Sequence, residues 1–184
     1  MSIFDRVKGI IVDPRSEWLK IAAEPATVQS IYTGWIMILA AIGPLALLVA
    51  THSLQWALAQ YVLSMVTTFV LAAIVDALAP SFGGTKDFVA SLKLIAYSYT
   101  AAWLAGIFYL LGLFGGVLGL VATVYAFYTF FLGAPVLKKA APAKALPFTL
   151  VVVLCGIVLG ILAGYVFSGM MMTPHLGGGF GMMR

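Results

Sequence analysis

The sequence has few charged residues. Asp, Glu, Lys and Arg make up only 9% of the 184 residues, and 63% are hydrophobic, whereas about a quarter of a soluble domain is charged. A soluble fold with so few charges could not cover its surface with polar groups. The low charge, with a mean hydropathy of +1.10, therefore excludes a soluble globular domain and predicts an integral membrane protein.

Other features are also scarce. The single cysteine, Cys155, can form no intrachain disulfide, and both histidines stand alone. There is no phosphate-binding loop, no His-x-x-x-His zinc pair, no Gly-x-Ser-x-Gly and no paired carboxylates, so we expect no enzyme and no cofactor. The basic residues are scattered between apolar runs instead of forming a patch, which argues against nucleic acid as a partner.

Five apolar runs are long enough to cross a bilayer, since a helix needs about 20 residues to do so. Lipid cannot satisfy the backbone groups of an open strand, so each run is predicted to be helical. The sequence thus predicts an all-α membrane bundle. The predicted spans are 31–51, 54–79, 91–111, 115–134 and 148–170.

Residues 1–30 precede the bundle and are predicted to form two short amphipathic helices. One face of the first carries Ile3, Phe4, Val7, Ile10 and Ile11, and the opposite face carries Asp5, Arg6 and Lys8.

The second helix is expected to begin at Asp13-Pro14, a capping residue followed by proline. It places Trp18 with Leu19 and Ile21, and leaves Arg15, Glu17 and Lys20 to solvent. Such helices lie in the headgroup plane, anchored here by Phe4 and Trp18, or pack on the cytoplasmic face of the bundle.

The charges are distributed unequally between the two sides. Nine of the ten Lys and Arg residues fall in the N-terminal segment or near the second and fourth connections, and only Arg184 falls on the other side. The positive-inside rule places the nine in the cytoplasm. We therefore expect a cytoplasmic N-terminus, an external C-terminus and a tail, residues 171–184, outside the 31–170 bundle.

Asp76 is the leading intramembrane candidate, because a carboxylate at membrane depth is a functional hypothesis by default. It precedes Pro80 by about one turn, and Lys93 on the same side is its expected ion-pair partner. A solvated position at the membrane surface and a role in ion or proton binding stay open. The polar stretch around Tyr97 and Tyr99 bonds to neighbouring helices or lines a polar cavity.

Glycines spaced four apart predict close helix contacts, within one chain or between two. Pro44, after Gly43, is expected to kink the first span. The tail offers a weak candidate for a Cu(I) site, because thioethers and an imidazole suit that ion. The contact glycines are Gly156, Gly160, Gly164, Gly112 and Gly116, and the metal candidates are Met171, Met172 and His175.

Several stretches resemble the Yip family, membrane proteins first known as partners of Ypt/Rab GTPases. These are residues 12–18 (Val-Asp-Pro-Arg-Ser-Glu-Trp), 83–88 (Gly-Gly-Thr-Lys-Asp-Phe), 92–98 (Leu-Lys-Leu-Ile-Ala-Tyr-Ser) and 125–135 (Tyr-Ala-Phe-Tyr-Thr-Phe-Phe-Leu-Gly-Ala-Pro). The resemblance implies five spans and a cytoplasmic N-terminus. The chain lacks the Asp-Leu-Tyr-Gly-Pro segment and long N-terminal region of eukaryotic members, so binding of Rab-type GTPases is not implied. Its compact form resembles the prokaryotic branch, which implies the bacterial inner membrane.

Two functions follow as hypotheses. The first is a non-enzymatic membrane organiser or trafficking-related factor, which contacts the lipid bilayer, an unknown protein partner and a second copy of itself. The second is a small transporter or channel that uses Asp76, Lys93 and the polar third span. A polar cavity reaching Asp76 would favour the transporter, and a closed bundle would favour the organiser.

Overall fold

The computed structural model describes residues 2–172, and every regular element in that range is helical. Two short helices, α1 (Ile3–Val12) and α2 (Pro14–Ala23), precede the bundle. Five helical stretches are then long and apolar enough to cross a membrane, which confirms the predicted all-α bundle. These spans are Val28–Thr51, Leu54–Phe82, Phe88–Leu111, Leu113–Leu137 and Pro142–Gly169.

Two of the spans extend past a proline at which the sequence predicts that the span ends. The fourth span continues through Pro135 to Leu137, and the helix of the fifth span begins at Pro142 and runs through Pro147. A proline removes one backbone donor but does not prevent a helix when it lies in the first or last turns. The spans are therefore longer on this side of the bundle than predicted.

The first span is irregular. It contains a π-helical segment, Tyr32–Ile36, and is interrupted at residues 40–41 before the helix Ile42–Thr51. Pro44 lies in the first turn of that helix and offers no backbone N–H to the carbonyl of Ala40. The helix is thus interrupted one turn before the proline at which the sequence predicts a kink.

The first and third spans cross at a pair of glycines. A Cβ on Gly106 would lie 2.8 Å from the Cα of Gly43, so neither helix could approach as closely with a side chain at that position. The third span then tightens into a 3-10 helix, Gly106–Leu111, and turns sharply at Gly112, whose φ of +56° suits glycine. This turn connects the third and fourth spans.

The fifth span lies at the outside of the bundle. Only 6% of the residues in its most apolar stretch are buried, against 44% for the third span, and most of its contacts are with the second and fourth spans. Most of its surface therefore faces lipid. The third span, in contrast, forms the centre of the bundle.

Helices α1 and α2 form a helical pair, the N-terminal hairpin, whose turn is Asp13. Ser2 caps α1 by accepting from the backbone N–H of Asp5, and Asp13 caps α2 by accepting from that of Ser16. Hydrogen bonds from Ser2 lower the pKa of Asp5, and those from Ser16 lower the pKa of Asp13. The α2 helix packs along the fourth span, so the hairpin is part of the bundle.

Candidate functional site

Asp76 is held by three hydrogen bonds at the end of the bundle where residues 83–87 and 138–141 connect the spans, here called the charged end. Its Oδ1 accepts from Lys138 Nζ at 2.9 Å, from the backbone N–H of Asp87 at 2.7 Å and from the Ser91 hydroxyl at 3.2 Å. Lys138 is fully buried and also donates to the carbonyl of Asp87. The expected Asp76–Lys93 pair is wrong, because Lys138 occupies that place.

The connection after the second span brings Lys138 into position. Gly83, with a φ of +77°, ends the preceding 3-10 turn in a conformation that suits glycine. A Cβ at Gly84 would lie only 2.8 Å from the Lys138 carbonyl oxygen, so the chain approaches this carbonyl closely. The same oxygen accepts a hydrogen bond from the Thr85 N–H at 2.8 Å. The sequence Gly-Gly-Thr-Lys-Asp therefore packs directly on the end of the fourth span.

Lys93 has a different role, because it caps the end of α2. Its buried Nζ donates to the carbonyl of Ile21 at 2.9 Å and to the carbonyl of Glu24. The last carbonyls of a helix have no partner within the helix, so a lysine placed there satisfies them. Lys93 thereby connects the N-terminal hairpin to the third span.

A second charged cluster lies between the hairpin and the bundle. Arg6 is only 5% exposed and donates to Glu17 at 2.8 Å and to Glu24. Its guanidinium carbon lies 6.0 Å from the centre of the Tyr97 ring, a cation–π distance. The assignment of Glu17 to solvent was wrong, and Arg6 on the polar face of α1 is buried as well, because α1 folds back on α2 and both charges lie between the hairpin and the bundle.

The two predicted membrane anchors behave differently. Trp18 is buried, donates from Nε1 to the Thr129 carbonyl at 2.9 Å and lies against Gly133, where a Cβ would approach its ring to 2.5 Å. Phe4 is 87% exposed. Packing on the bundle therefore describes Trp18, whereas Phe4 is free to contact lipid.

The polar third span faces two different cavities. Tyr97 lines a cavity of about 250 Å³ beside Arg6 and Glu24, and Tyr99 lines one of about 150 Å³ beside Ser64 and Thr68. Asp76 and Lys93 line neither of these two cavities. The four predicted residues thus do not line one cavity, although Lys93 bonds to the carbonyl of Glu24, which lines the cavity beside Tyr97.

Sequence reasoning missed a polar stripe on the second span. Gln60, Ser64 and Thr68 follow one another at four-residue spacing, which places them on one helical face. Gln60 lines a cavity of about 120 Å³ together with Pro44, and its Oε1 is buried with no hydrogen-bond partner among the described residues. The spacing was a signal that could have indicated this stripe.

The predicted contact glycines are mostly open within the chain. A Cβ at Gly112, Gly116, Gly160 or Gly164 would meet nothing within 4 Å, and at Gly156 it would lie 3.5 Å from the Tyr99 hydroxyl. The third and fourth spans approach closely at Gly115, where a Cβ would lie 1.8 Å from the Phe108 carbonyl oxygen. A contact of the open glycines with a second chain stays a prediction.

The family model of the Yip1 domain matches residues 8–173, which include α2 and all five spans. The chain belongs to the Yip1-domain family. No curated protein and no solved structure matches it. Yip1-domain proteins are a non-catalytic membrane family, and the predicted membrane class is therefore confirmed.

The family match includes most of the N-terminal hairpin in the Yip1 domain. Because it begins at Lys8, the Asp13 turn and α2 lie inside the domain and are not an appended segment. No group of three or more His, Cys, Asp or Glu side chains that could hold a metal occurs in the part of the chain that the structure describes. The Cu(I) hypothesis at Met171, Met172 and His175 falls on side chains outside that part.

Proposed function

We propose that this Yip1-domain protein is a non-enzymatic membrane organiser, which shapes the bilayer by inserting its N-terminal hairpin into one leaflet. One observation carries the proposal. The Tyr125 hydroxyl donates to the carbonyls of Ile10 and Ile11, at 3.1 and 2.8 Å. These carbonyls belong to the last turn of α1, next to the Asp13 turn.

The depth of this contact follows from the position of Tyr125. It is the central residue of Leu113–Leu137, so it lies about 18 Å from either end of that helix at a rise of 1.5 Å per residue. A bilayer core is about 30 Å thick, and the turn at Gly112 is flanked by exposed apolar residues, Leu111 and Leu113. The hairpin turn therefore lies at the level of the hydrocarbon.

The outer face of the hairpin suits lipid. Phe4, Val12 and Leu19 on this face are all largely exposed in the chain. The inner face is already covered, since Trp18, Ile10 and Ile21 are buried. Apolar side chains on the outer face gain most if acyl chains cover them. Asp13 and Arg15 are also exposed near the turn, and charges at that depth attract headgroups and water, which thins the leaflet locally.

The insertion is one-sided. Among residues 2–172, the other end of the bundle carries only short turns, at residues 52–53 and at Gly112, so the helices of the hairpin increase the area of one leaflet. A leaflet expanded in this way becomes the convex side of the membrane. With the predicted orientation it is the cytoplasmic leaflet.

Vesicle shape tests the proposal. The full chain is reconstituted at several protein-to-lipid ratios into phosphatidylcholine vesicles, and their diameters are measured by cryo-electron microscopy. We expect smaller diameters or tubules as the protein content rises. The variant Phe4→Gln/Val12→Gln weakens insertion of the exposed face and should restore the diameters of empty vesicles.

Ala143→Gln is the matched control, because Ala143 is exposed and lies outside the hairpin. It should bend vesicles as the wild type does. Wild-type vesicles with the diameters of empty ones, or a double variant as active as the wild type, would contradict membrane shaping by the hairpin.

A small carrier is the second candidate, and the cavity beside Tyr99 is the observation that favours it. Ser64, Thr67 and Thr68 give this cavity a polar wall between the second, third and fifth spans. The test mixes proteoliposomes with glycerol and follows their volume by light scattering. A carrier for glycerol should make the vesicles recover their volume faster after the initial shrinkage. Rates equal to those of empty liposomes would argue against this carrier.

A further inference from the structure

The cavity beside Tyr97 lies where α1 and the end of α2 meet the first and third spans. Its volume is about 250 Å³, and its wall is mainly polar. At Gly34 a Cβ would meet nothing within 4 Å, so this side of the cavity is open. The lining residues are Ser2, Ile3, Arg6, Glu24, Gly34, Trp35 and Tyr97.

The wall carries two opposite charges. Arg6 is almost fully buried and uses one nitrogen for Glu17 and one for Glu24, which leaves donors among the five N–H groups of a guanidinium. The Glu24 side chain is 48% exposed, so its carboxylate is accessible to a ligand as well. A ligand that matches this wall carries both an anionic acceptor and a cationic donor.

The depth of the cavity matches that of lipid headgroups. Gly34 lies about 26 Å from the Thr51 end of the first span, at 1.5 Å per residue, and so near the edge of the roughly 30 Å core. Trp35 and Tyr97 lie 4.7 Å apart between ring centres, and such aromatic residues are enriched at this level. Met37 and Ile38, slightly deeper, are exposed for acyl chains.

We propose that this cavity binds the headgroup of a phospholipid with a primary ammonium, of the phosphoethanolamine type. The ammonium donates to the Glu24 carboxylate, and the phosphate oxygens accept from Arg6. A choline headgroup has no N–H to donate, and a glycerol headgroup has no cation. The proposal goes beyond membrane shaping, because the headgroup can bind whether or not the hairpin bends the bilayer.

Lipid retention by the full chain tests this site. The protein in detergent is titrated with phosphatidylethanolamine, phosphatidylcholine or phosphatidylglycerol of equal chain length, and bound lipid is counted by native mass spectrometry. We expect the ethanolamine lipid to bind roughly tenfold more tightly, as the loss of one charge-assisted hydrogen bond implies. Glu24→Gln should abolish this preference, and Asp5→Asn, exposed on α1, should keep it.

A second variant fills the cavity. A Cβ at Gly34 would meet nothing within 4 Å, so we expect Gly34→Leu to fold with an unchanged melting temperature, to extend into the cavity and to lose the bound ethanolamine lipid. Equal retention of the three lipids, or a preference that survives both Glu24→Gln and Gly34→Leu, would overturn the proposal. If free phosphoethanolamine raises the melting temperature as much as the lipid does, the cavity is a site for a soluble ligand instead.

The two proposals fail independently. The vesicle-shape experiment uses phosphatidylcholine alone, so its result does not depend on a headgroup with a primary ammonium. Unbent vesicles together with selective retention would leave the headgroup site in place. Bent vesicles without selective retention would leave only the membrane-shaping function.

Discussion

Asp76 in the second span and Lys138 at the end of the fourth form an ion pair of 2.9 Å whose lysine is fully buried. The same Lys138 Nζ and the same Asp76 oxygen both bond to the backbone of Asp87, before the third span. Three spans thus meet at one pair of charges. The pair fixes the charged end of the bundle.

Breaking this pair should destabilise the fold. Lys138→Met leaves a largely buried carboxylate without its cation, which costs about 3–5 kcal/mol when the site is dry. We expect a lower melting temperature in detergent, and the double variant Asp76→Asn/Lys138→Met should lose less than the sum of the single changes. Lys139→Gln changes the exposed neighbour and should have little effect. Additive losses would indicate that the two residues do not interact.

Removing the Lys93 ammonium should release the end of α2. Lys93→Met keeps most of the side-chain volume but leaves the carbonyls of Ile21 and Glu24 without their donor. Hydrogen bonds to charged groups contribute about 1.5–3 kcal/mol each, so the amides of α2 should exchange at least about tenfold faster. Hydrogen–deuterium exchange with mass spectrometry measures this, with Lys86→Met in the preceding connection as the control. Unchanged exchange in α2 would show that Lys93 does not hold the end of this helix.

The close approach of Trp18 to Gly133 gives a test from the other partner. Gly133→Ala places a Cβ about where the indole ring now lies, and a crowded core costs about 1–3 kcal/mol. The ring should move away, with a shift of tryptophan fluorescence and weaker protection of α2. Gly119→Ala in the same helix meets open space and should change neither property. Equal behaviour of the two variants would contradict the packing at Gly133.

The five spans could be predicted from the sequence, but the partners of the charges could not. A run of about 20 apolar residues has no other stable fold in lipid, so length and composition were sufficient for the spans. Asp76 lies near the end of the second span and Lys93 near the start of the third, as the sequence indicates. Sequence position does not say which way a side chain points, however, and Lys93 points to α2 while Lys138 reaches Asp76.

The position of the hairpin was equally hidden from the sequence. The apolar face of Ile3, Phe4 and Ile10 was visible in the spacing, but the pattern is the same for a helix on a membrane and for one packed on protein. Contacts between residues more than 100 positions apart in the sequence distinguish these two arrangements. Trp18 bonds to Thr129, and Tyr125 bonds to Ile10. Only the fold brings such pairs together.

The orientation in the membrane stays a prediction, and single cysteines can test it. In a Cys155→Ala background, Lys139→Cys lies at the charged end, and His52→Cys lies at the exposed turn of the opposite end. A membrane-impermeant maleimide added to intact cells should label position 52 and, in the tail, Gly178→Cys, but not position 139. Labelling of positions 139 and 178 from the same side would contradict the five-span topology.

Self-association through the fifth span is the prediction that separates a membrane organiser from a solitary chain. Gly160 and Gly164 are open within the chain, and the span around them is largely exposed. Two such faces can approach closely and form Cα–H···O bonds, each worth about 0.5–1 kcal/mol. In lipid there is no hydrophobic drive between helices, so this packing has to supply much of the association energy.

Gly160→Leu tests this face, and we expect it to fold, because a Cβ at Gly160 would meet nothing within 4 Å inside the chain. We expect a dimer of wild-type protein in single-molecule photobleaching, with two bleaching steps, and mostly one step for the variant. Gly169→Leu, also open and further along the same helix, is the control and should stay dimeric. An unchanged melting temperature of Gly160→Leu would show that the loss of the dimer is not caused by unfolding. A wild type that bleaches in one step at native density would contradict self-association and would instead assign the glycines to contact with lipid.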